Sequence, residues 1–336
     1  MSTLLSPLIP ANRIDAVEKA MIQTFGHSEV QEISLLSGGL SGAPVCKIVV
    51  EGQVYLLKLF DPQAAMAAPP SIYQQLVADA GIVPPLHYHN ELTGVSISGF
   101  IENSQIFSLP PEKIIHELAL SIKAIHHIKV DGRAMDLLTL VDGVVQWLQQ
   151  SDLFRQEVWD EFLIYYHSIR SIYPWNDTLK VLSHNDLNPT NTLWDVNKIW
   201  IIDWDVASIN DPYVDLATAA NFFVQRPGDE KLLLDIYFNG NASDIQTARF
   251  FIMRQICRLV YSREMLQRAL INKPADVFHD TDGEECSLRK VTTQLRTGKL
   301  SLQTWEGQYL YGKALFQEAL GQMRSPLFAH NIACLG

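Results

Sequence analysis

Cysteine, basic charge and long apolar runs are all scarce in this chain. Its 26 basic residues are outnumbered by 37 acidic ones, so no basic field is available to draw in nucleic acid. No apolar run approaches bilayer length, and no basic leader opens the chain. The cysteines are scattered without metal-like spacing, at Cys46, Cys257, Cys286 and Cys334. We therefore expect a cytoplasmic protein with reduced thiols that binds neither nucleic acid nor membrane.

The composition is that of a folded protein. Of the 336 residues, 47% are hydrophobic and 19% are charged, which excludes a disordered chain. A chain of this length can bury a large core and is expected to fold as two lobes.

Most of the polar residues that suggest chemistry lie between His184 and Asp205. Transfer of a phosphoryl group from ATP to a hydroxyl needs an acid near the acceptor and oxygen ligands for magnesium. Asp186 is the candidate base. Asn191 lies five residues further on in the same polar loop, and Asp203 follows an apolar strand. These two residues are the candidate metal ligands.

The surrounding pattern predicts short strands at Lys180–Ser183, Thr192–Trp194 and Ile199–Ile202, with a polar loop and a turn between them. Two strands would then present Asp186, Asn191 and Asp203 to one point. For each residue taken singly, an ordinary polar turn or a solvated strand end is the favoured interpretation. Loop, spacing and flanking apolar runs agree with one another, and together they favour the catalytic interpretation.

Two features upstream suit the phosphates of a nucleotide. Gly39 and Ser41 lie in a glycine-rich loop between two apolar runs, where a bare backbone could approach phosphate. Lys58 interrupts the apolar strand Val54–Phe60 and needs an anionic partner. The alternatives are a plain hairpin turn and an edge-strand lysine that discourages aggregation. Because the two features occur together, phosphate contact is favoured for both.

At these residues the chain resembles the aminoglycoside phosphotransferase and choline kinase superfamily, protein-kinase-like enzymes that act on small molecules. It matches the pattern His-x-Asp-x-x-x-x-Asn and the following Ile-Asp-[Trp/Tyr/Phe]-[Glu/Asp] strand. The resemblance implies that Asp186 is the catalytic aspartate, that Asn191 and Asp203 bind the metal, and that His184 braces the loop. Asp205 stands where the family often has an acid. Its role is left open between orienting the ligands and ending a strand in solvent.

The resemblance also implies an α+β, bilobal, protein-kinase-like fold. The N-terminal lobe, with an antiparallel sheet and a helix, would bind the nucleotide and span residues 1–100. The mostly helical C-terminal lobe, residues 101–336, would carry catalysis and substrate binding. The connection between them would receive adenine at Ser98, Phe100 and Ile101. An edge strand that ends in a loop would have the same sequence pattern.

The chain departs from the family pattern at two places. Gly42 stands where the family's glycine loop commonly has asparagine. The helix after the lysine strand usually carries a glutamate that pairs with that lysine, and here it has none. Gln74 or Gln75 could substitute as a neutral partner, or Lys58 could be held by phosphate alone.

The sequence thus predicts an enzyme, a small-molecule kinase that uses ATP and Mg²⁺. An acidic chain, with formal net charge -11, suits a cationic alcohol such as a choline- or ethanolamine-type amino alcohol or an aminoglycoside. Aromatic residues such as Trp305 and Tyr309 could cage such a cation or simply fill the core. The alternatives are a catalytically silent nucleotide-binding module and a protein kinase. The latter is disfavoured because no Ala-Pro-Glu signature follows Asp203. The oligomeric state is left open.

Overall fold

The computed structural model describes residues 8–36, 44–63, 72–104, 106–177, 179–274 and 287–336. Gly39, Ser41 and Gly42 therefore lie outside the described residues. The chain divides into two compact units, Met1–Gly132 with Val181–Ile209 and Arg133–Lys180 with Asn210–Gly336. The lobe boundary expected near residue 100 falls inside the first unit, and it stays a prediction.

A five-stranded antiparallel sheet forms the first part of the first unit, in the order β1-β2-β3-β5-β4. Its strands are β1 (Glu32–Leu35), β2 (Val45–Val50), β3 (Gln53–Leu59), β4 (Leu86–Asn90) and β5 (Val95–Gly99). Strands β2 and β3 are joined by the two residues Glu51 and Gly52, both with positive φ, 51° and 75°. Such a turn matches the twist of the paired strands, and glycine adopts it without steric cost.

Two helices of the first unit accompany this sheet, α1 (Ile14–Phe25) and α2 (Ile72–Asp79). Val17, Ala20 and Met21 recur at helical spacing and are fully buried with the alternate residues of β2 and β3. The guanidinium of Arg13 donates to the carbonyl oxygens of Thr93 and Gly94, both at 2.7 Å, which ties the start of α1 to the turn before β5. This packing fixes the strand that carries Lys58.

The rest of the first unit carries the polar motif. Helix α3 (Pro111–His126) buries one apolar stripe, and four short strands follow. Strand β6 (Val181–Ser183) pairs with β9 (Ser208–Asn210), and β7 (Thr192–Trp194) pairs with β8 (Ile199–Ile201). The strands expected from the sequence at these places are confirmed to within a residue at each end.

The second unit is helical. Its described helices are α4 (Leu137–Gln150), α5 (Gln156–Ile172), α6 (Pro212–Phe223), α7 (Pro227–Tyr237), α8 (Asp244–Ile271), α9 (Leu288–Arg296), α10 (Trp305–Met323) and α11 (Pro326–Leu335). Helix α8 lies against α10 at Gly312, where an added Cβ would come within 2.6 Å of Leu266. Ser262 Oγ also donates to the Gly312 carbonyl at 2.7 Å. Across the described residues, no helix is both long and apolar enough to cross a membrane.

Candidate active site

The loop from His184 to Asn191 is held in place by its own first residue, the buried His184. His184 Nε2 donates to the Ile202 carbonyl at 2.9 Å, and Nδ1 accepts from the Asp186 backbone N–H at 3.2 Å. A ring nitrogen that accepts from an N–H carries no proton, so this pair of bonds places the ring proton on Nε2. The edge of Trp204 covers the ring at a centroid distance of 4.8 Å. His184 thus braces the loop, as the resemblance implied.

Two carboxamides hold the carboxylate of Asp186. Asn188 Nδ2 donates to Oδ1 and Asn191 Nδ2 donates to Oδ2, each at 2.9 Å. Asn188 is itself held by the turn Pro189–Asn191, because its Oδ1 accepts from the backbone N–H of Thr190 at 2.8 Å. The carboxylate is therefore placed in one orientation by side chains that carry no charge.

Strand register brings Asn191 and Asp203 to the same end of the β7–β8 hairpin. Thr192 pairs with Ile201, and the Ile202 N–H donates to the Asn191 carbonyl at 2.9 Å. Asp203 follows with φ of 65°, a conformation that turns the chain out of the strand. Since Asn191 Nδ2 is directed at Asp186, its Oδ1 is the atom left to act as a ligand.

Lys58 joins this cluster through Asp203 and Asp205. Its Nζ lies 2.6 Å from Asp203 Oδ1 and 2.9 Å from Asp205 Oδ2. Burial acts to lower the pKa of Lys58, but the two carboxylates outweigh it, so the pKa lies above its ordinary value. Gln74 and Gln75 were possible neutral partners from α2. Gln75 instead donates to Asp79 on its own helix, at 2.8 Å.

The two aspartates beside Lys58 differ in their ionisation. Burial acts to raise the pKa of Asp203, but the attraction of Lys58 outweighs it and the pKa lies below the ordinary value. Burial raises the pKa of Asp205, and the charge of Asp203 adds to that effect against the attraction of Lys58. Asp203 is therefore the more firmly ionised of the two, which suits a metal ligand.

The residues expected to receive adenine lie where β5 leaves the sheet. Ser98 is inside β5, paired with Leu56 on one side and Leu86 on the other. The Phe100 N–H is directed at the Val54 carbonyl at 3.4 Å. In the described part of the chain, no hydrogen bond engages the N–H of Ile101 or Glu102. Of the three residues named from the sequence, Ile101 is the one whose N–H makes no hydrogen bond within the described residues, and its contact with adenine stays a prediction.

The structure thus brings together Asp186, Asn191, Asp203 and Lys58, which sequence reasoning had selected. It adds two residues that this reasoning missed. Asn188 holds Asp186, and its position before Pro189 at the start of a helical turn was a capping signal that could have revealed it. Asn185 adopts φ of 66° and donates to the Val206 carbonyl at 2.8 Å. That bond anchors the segment after Asp203.

The donor set fits magnesium. The described residues contain no group of three or more His, Cys, Asp and Glu that could hold an ion. One carboxylate, from Asp203, and one carboxamide oxygen, from Asn191, instead lie at the same end of the β7–β8 hairpin. Magnesium binds through one or two such oxygens and takes its remaining ligands from water and phosphate. The two residues are therefore sufficient as the protein's share of such a site.

Lys58 lies on a strand of the sheet and pairs with Asp203, next to the loop that carries Asp186 and Asn191. This arrangement is that of the kinase-like phosphotransferases. Comparison with known proteins agrees, since residues 32–251 match the phosphotransferase enzyme family. The chain belongs to this family, and it is accordingly an enzyme of the phosphotransferase class.

Solved structures share its fold. A choline/ethanolamine kinase family protein from Mesorhizobium loti aligns over 96% of this chain and 99% of its own, with 18% identity and a TM-score of 0.69. The structure of a gentamicin–APH(2")-IIa complex aligns over 92% of this chain and 98% of its own, with 14% identity and a TM-score of 0.58. The bilobal kinase-like α+β fold expected from the sequence is thereby confirmed.

A curated relative matches over a shorter stretch. The LicA homolog of Mycoplasma capricolum is 30% identical over 69 residues, which are 20% of this chain and 29% of that protein. The chain thus covers less than a third of this relative's length.

Proposed function

We propose that this protein transfers the γ-phosphoryl group of ATP to a hydroxyl of a small molecule, with magnesium at Asn191 and Asp203. The observation that carries the proposal is the shared use of Asn191. Its amide nitrogen holds the Asp186 carboxylate at 2.9 Å, and its oxygen is left for the metal. One side chain thus couples the position of the base to the position of the phosphates.

The chain's own residues divide the work of the reaction. Asp186 accepts a hydrogen bond from the acceptor hydroxyl, orients it toward the γ-phosphorus and takes its proton as the new P–O bond forms, while the bond between the γ-phosphorus and the bridging oxygen breaks and ADP leaves with that electron pair. Lys58 contacts the phosphate oxygens, and the backbone at Ile101 contacts adenine. Asn191 and Asp203 would hold magnesium, which would neutralise part of the negative charge of the phosphates. Gly39 and Ser41 remain proposed phosphate contacts.

The acceptor we propose is a hydroxyl-bearing cation, either a choline- or ethanolamine-type amino alcohol or an aminoglycoside. The formal net charge of -11 supports it, because an acidic surface attracts cations. The similarity to a choline/ethanolamine kinase family protein and to a protein that binds gentamicin supports the same class. A protein of this charge in the cytoplasm would meet such metabolites as free solutes.

The aromatic residues of α10 do not supply an open cage for such a cation. Tyr309 and Tyr311 are buried, 8% and 7% exposed. Trp305 stacks on Tyr309 at 5.5 Å, and Lys313 Nζ lies 5.9 Å from the ring centre of Tyr309. These rings pack with one another and with a cation of the chain itself, as core residues do. The acceptor site is therefore to be sought elsewhere.

A screen of magnesium-dependent ATP consumption tests the proposal. The acceptors are choline, ethanolamine, thiamine, homoserine, sugars and a panel of aminoglycosides, with Asp186→Asn run beside the wild-type protein. We expect one class of cationic alcohol to stimulate ATP consumption by the wild-type protein and not by the variant. Nucleotide binding without turnover on any alcohol would instead support the catalytically silent alternative.

A further inference from the structure

Both acidic partners of Lys58 come from one segment of the chain. Asp203 and Asp205 lie 2.6 and 2.9 Å from Nζ. Helix α2, as far as the structure describes it, contains no glutamate, and its one acid, Asp79, accepts from Gln75 at 2.8 Å. Lys58 is therefore held by the segment that follows β8 and not by an acid of that helix.

Magnesium and Lys58 would compete for Asp203. A carboxylate that ligates a divalent cation has its charge largely neutralised, and it can offer less attraction to an ammonium group nearby. Lys58 then needs an anion of its own, because its cation and the metal repel each other. The Asp205 carboxylate, already at 2.9 Å, is in place to be that anion.

Asp205 is held between two anchored residues. Trp204, on one side, is 5% exposed and donates from Nε1 to the Ile201 carbonyl at 3.0 Å. On the other side, the Val206 carbonyl accepts from Asn185 Nδ2 at 2.8 Å. With both neighbours fixed, the backbone of Asp205 has little freedom, and its carboxylate is preorganised toward Lys58.

We propose that Asp205 is the positioning residue of Lys58 and that it replaces the helix glutamate as the lysine's permanent partner. Asp205 keeps the ammonium group directed at the nucleotide phosphates while Asp203 serves the metal. This inference rests on the proposed function for the identity of the ligands. It assigns Asp205 no contact with metal or substrate.

A double-mutant cycle tests the assignment. Asp205→Asn, Lys58→Met and the double variant are compared by calorimetric affinity for a non-hydrolysable ATP analogue with magnesium, and by KM for ATP. We expect each single variant to weaken analogue binding about tenfold and the double variant to be no weaker than Lys58→Met alone, because a coupled pair is lost only once. Asp205→Glu, which keeps the charge, should recover most of the affinity.

The magnesium requirement separates a positioning residue from a metal ligand. Asp205→Asn should leave the magnesium concentration for half-maximal binding unchanged. The matched control is Glu161→Gln, which removes a part-exposed carboxylate paired with Arg324 in the second unit, and it should leave analogue binding unchanged. Additive losses in the cycle, or a raised magnesium requirement in Asp205→Asn, would overturn the inference.

Failure of the inference and failure of the proposed function give different results. A wild-type protein that binds the analogue and shows the coupling, but phosphorylates no alcohol, contradicts the proposed function alone. An active wild-type protein with additive losses contradicts the inference alone. A wild-type protein that does not bind the analogue contradicts both.

Discussion

Asp186 in the first unit and Asp211 in the second are both fixed by several hydrogen bonds, but with different partners. The Asp186 carboxylate accepts from the neutral amides of Asn188 and Asn191. The Asp211 carboxylate is fully buried, and its Oδ2 accepts from Arg249 and from the Tyr173 hydroxyl, each at 3.0 Å. Its Oδ1 accepts from the Tyr213 N–H at 2.9 Å, which caps helix α6.

The difference distinguishes the carboxylate that we propose as the catalytic base from a carboxylate that stabilises the fold. Neutral amides orient Asp186 without cancelling its charge, so it can still attract a proton. An arginine neutralises Asp211 and closes its site. Burial acts to lower the pKa of Arg249, yet Tyr173 and Asp211 outweigh it and hold that pKa above its ordinary value. In the proposed function the first arrangement serves the reaction, whereas the second holds the fold, because a buried carboxylate that lost its arginine would be left uncompensated.

The largest expected effect is on catalysis, at Asp186. Asp186→Asn keeps the shape, and its single carboxamide oxygen can still accept from one of the two amides, Asn188 or Asn191, but it removes the proton acceptor. We expect kcat to fall roughly 10²- to 10⁴-fold with little change in nucleotide affinity. Asp142→Asn, the same change at a carboxylate paired with Arg170, is the control and should leave kcat unaltered. Unchanged turnover in Asp186→Asn would contradict the assignment of Asp186 as the base, and with it the comparison with Asp211.

The second effect is on stability, at Arg249. Arg249→Met leaves the buried Asp211 without its cation, and removing one partner of a buried ion pair costs about 3–5 kcal/mol. Urea denaturation should show the loss in the free energy of unfolding. A loss below about 1 kcal/mol would mean that the Arg249 network is not structural.

The third effect contrasts Lys58 with Arg249. Lys58→Met should raise KM for ATP about tenfold, since Lys58 contacts phosphate in the proposed complex. It should change the free energy of unfolding by no more than about 1 kcal/mol, because the carboxylates it pairs with are 42% and 57% exposed. An unaltered KM would make Lys58 an ordinary strand residue.

The smallest effect concerns a surface carboxylate, Asp142. The hydrogen bonds from Arg170 and Tyr166, opposed by partial burial, lower the pKa of Asp142 below its ordinary 3.8. A lowered pKa gives stability that is present above pH 3.8 and lost as the pH falls through the lower folded value. Wild type should therefore exceed Asp142→Asn in the free energy of unfolding by less than about 1 kcal/mol at pH 7, and the two should converge in acid. A difference that persists at pH 2 would contradict this.

Local pattern was enough to predict the strands of the first unit and the approach of two of its polar residues. Alternating apolar residues and turn signals located β2, β3, β7 and β8, and the spacing of Asp186 and Asn191 brought their side chains into contact. Their roles stay predictions. These features depend on neighbours a few residues away, and such signals are readable in a single sequence.

Longer-range contacts could not be read in the same way. Lys58 meets Asp205 across 147 positions of chain, and no periodicity encodes that approach. Whether the aromatic residues of α10 cage a ligand or fill the core depends on what packs against them, and here Trp305 stacks on Tyr309. The same sequence is compatible with both arrangements, and the tertiary contacts distinguish between them.

Metal binding tests the central claim most directly, because the claim separates one base from two ligands. Electron paramagnetic resonance of Mn²⁺, added with an ATP analogue in place of Mg²⁺, measures metal affinity without turnover. We predict that Asp186→Asn binds the metal like the wild-type protein, while Asn191→Ala and Asp203→Asn each weaken binding at least tenfold. Equal metal affinity in all four proteins would contradict the assignment of Asn191 and Asp203.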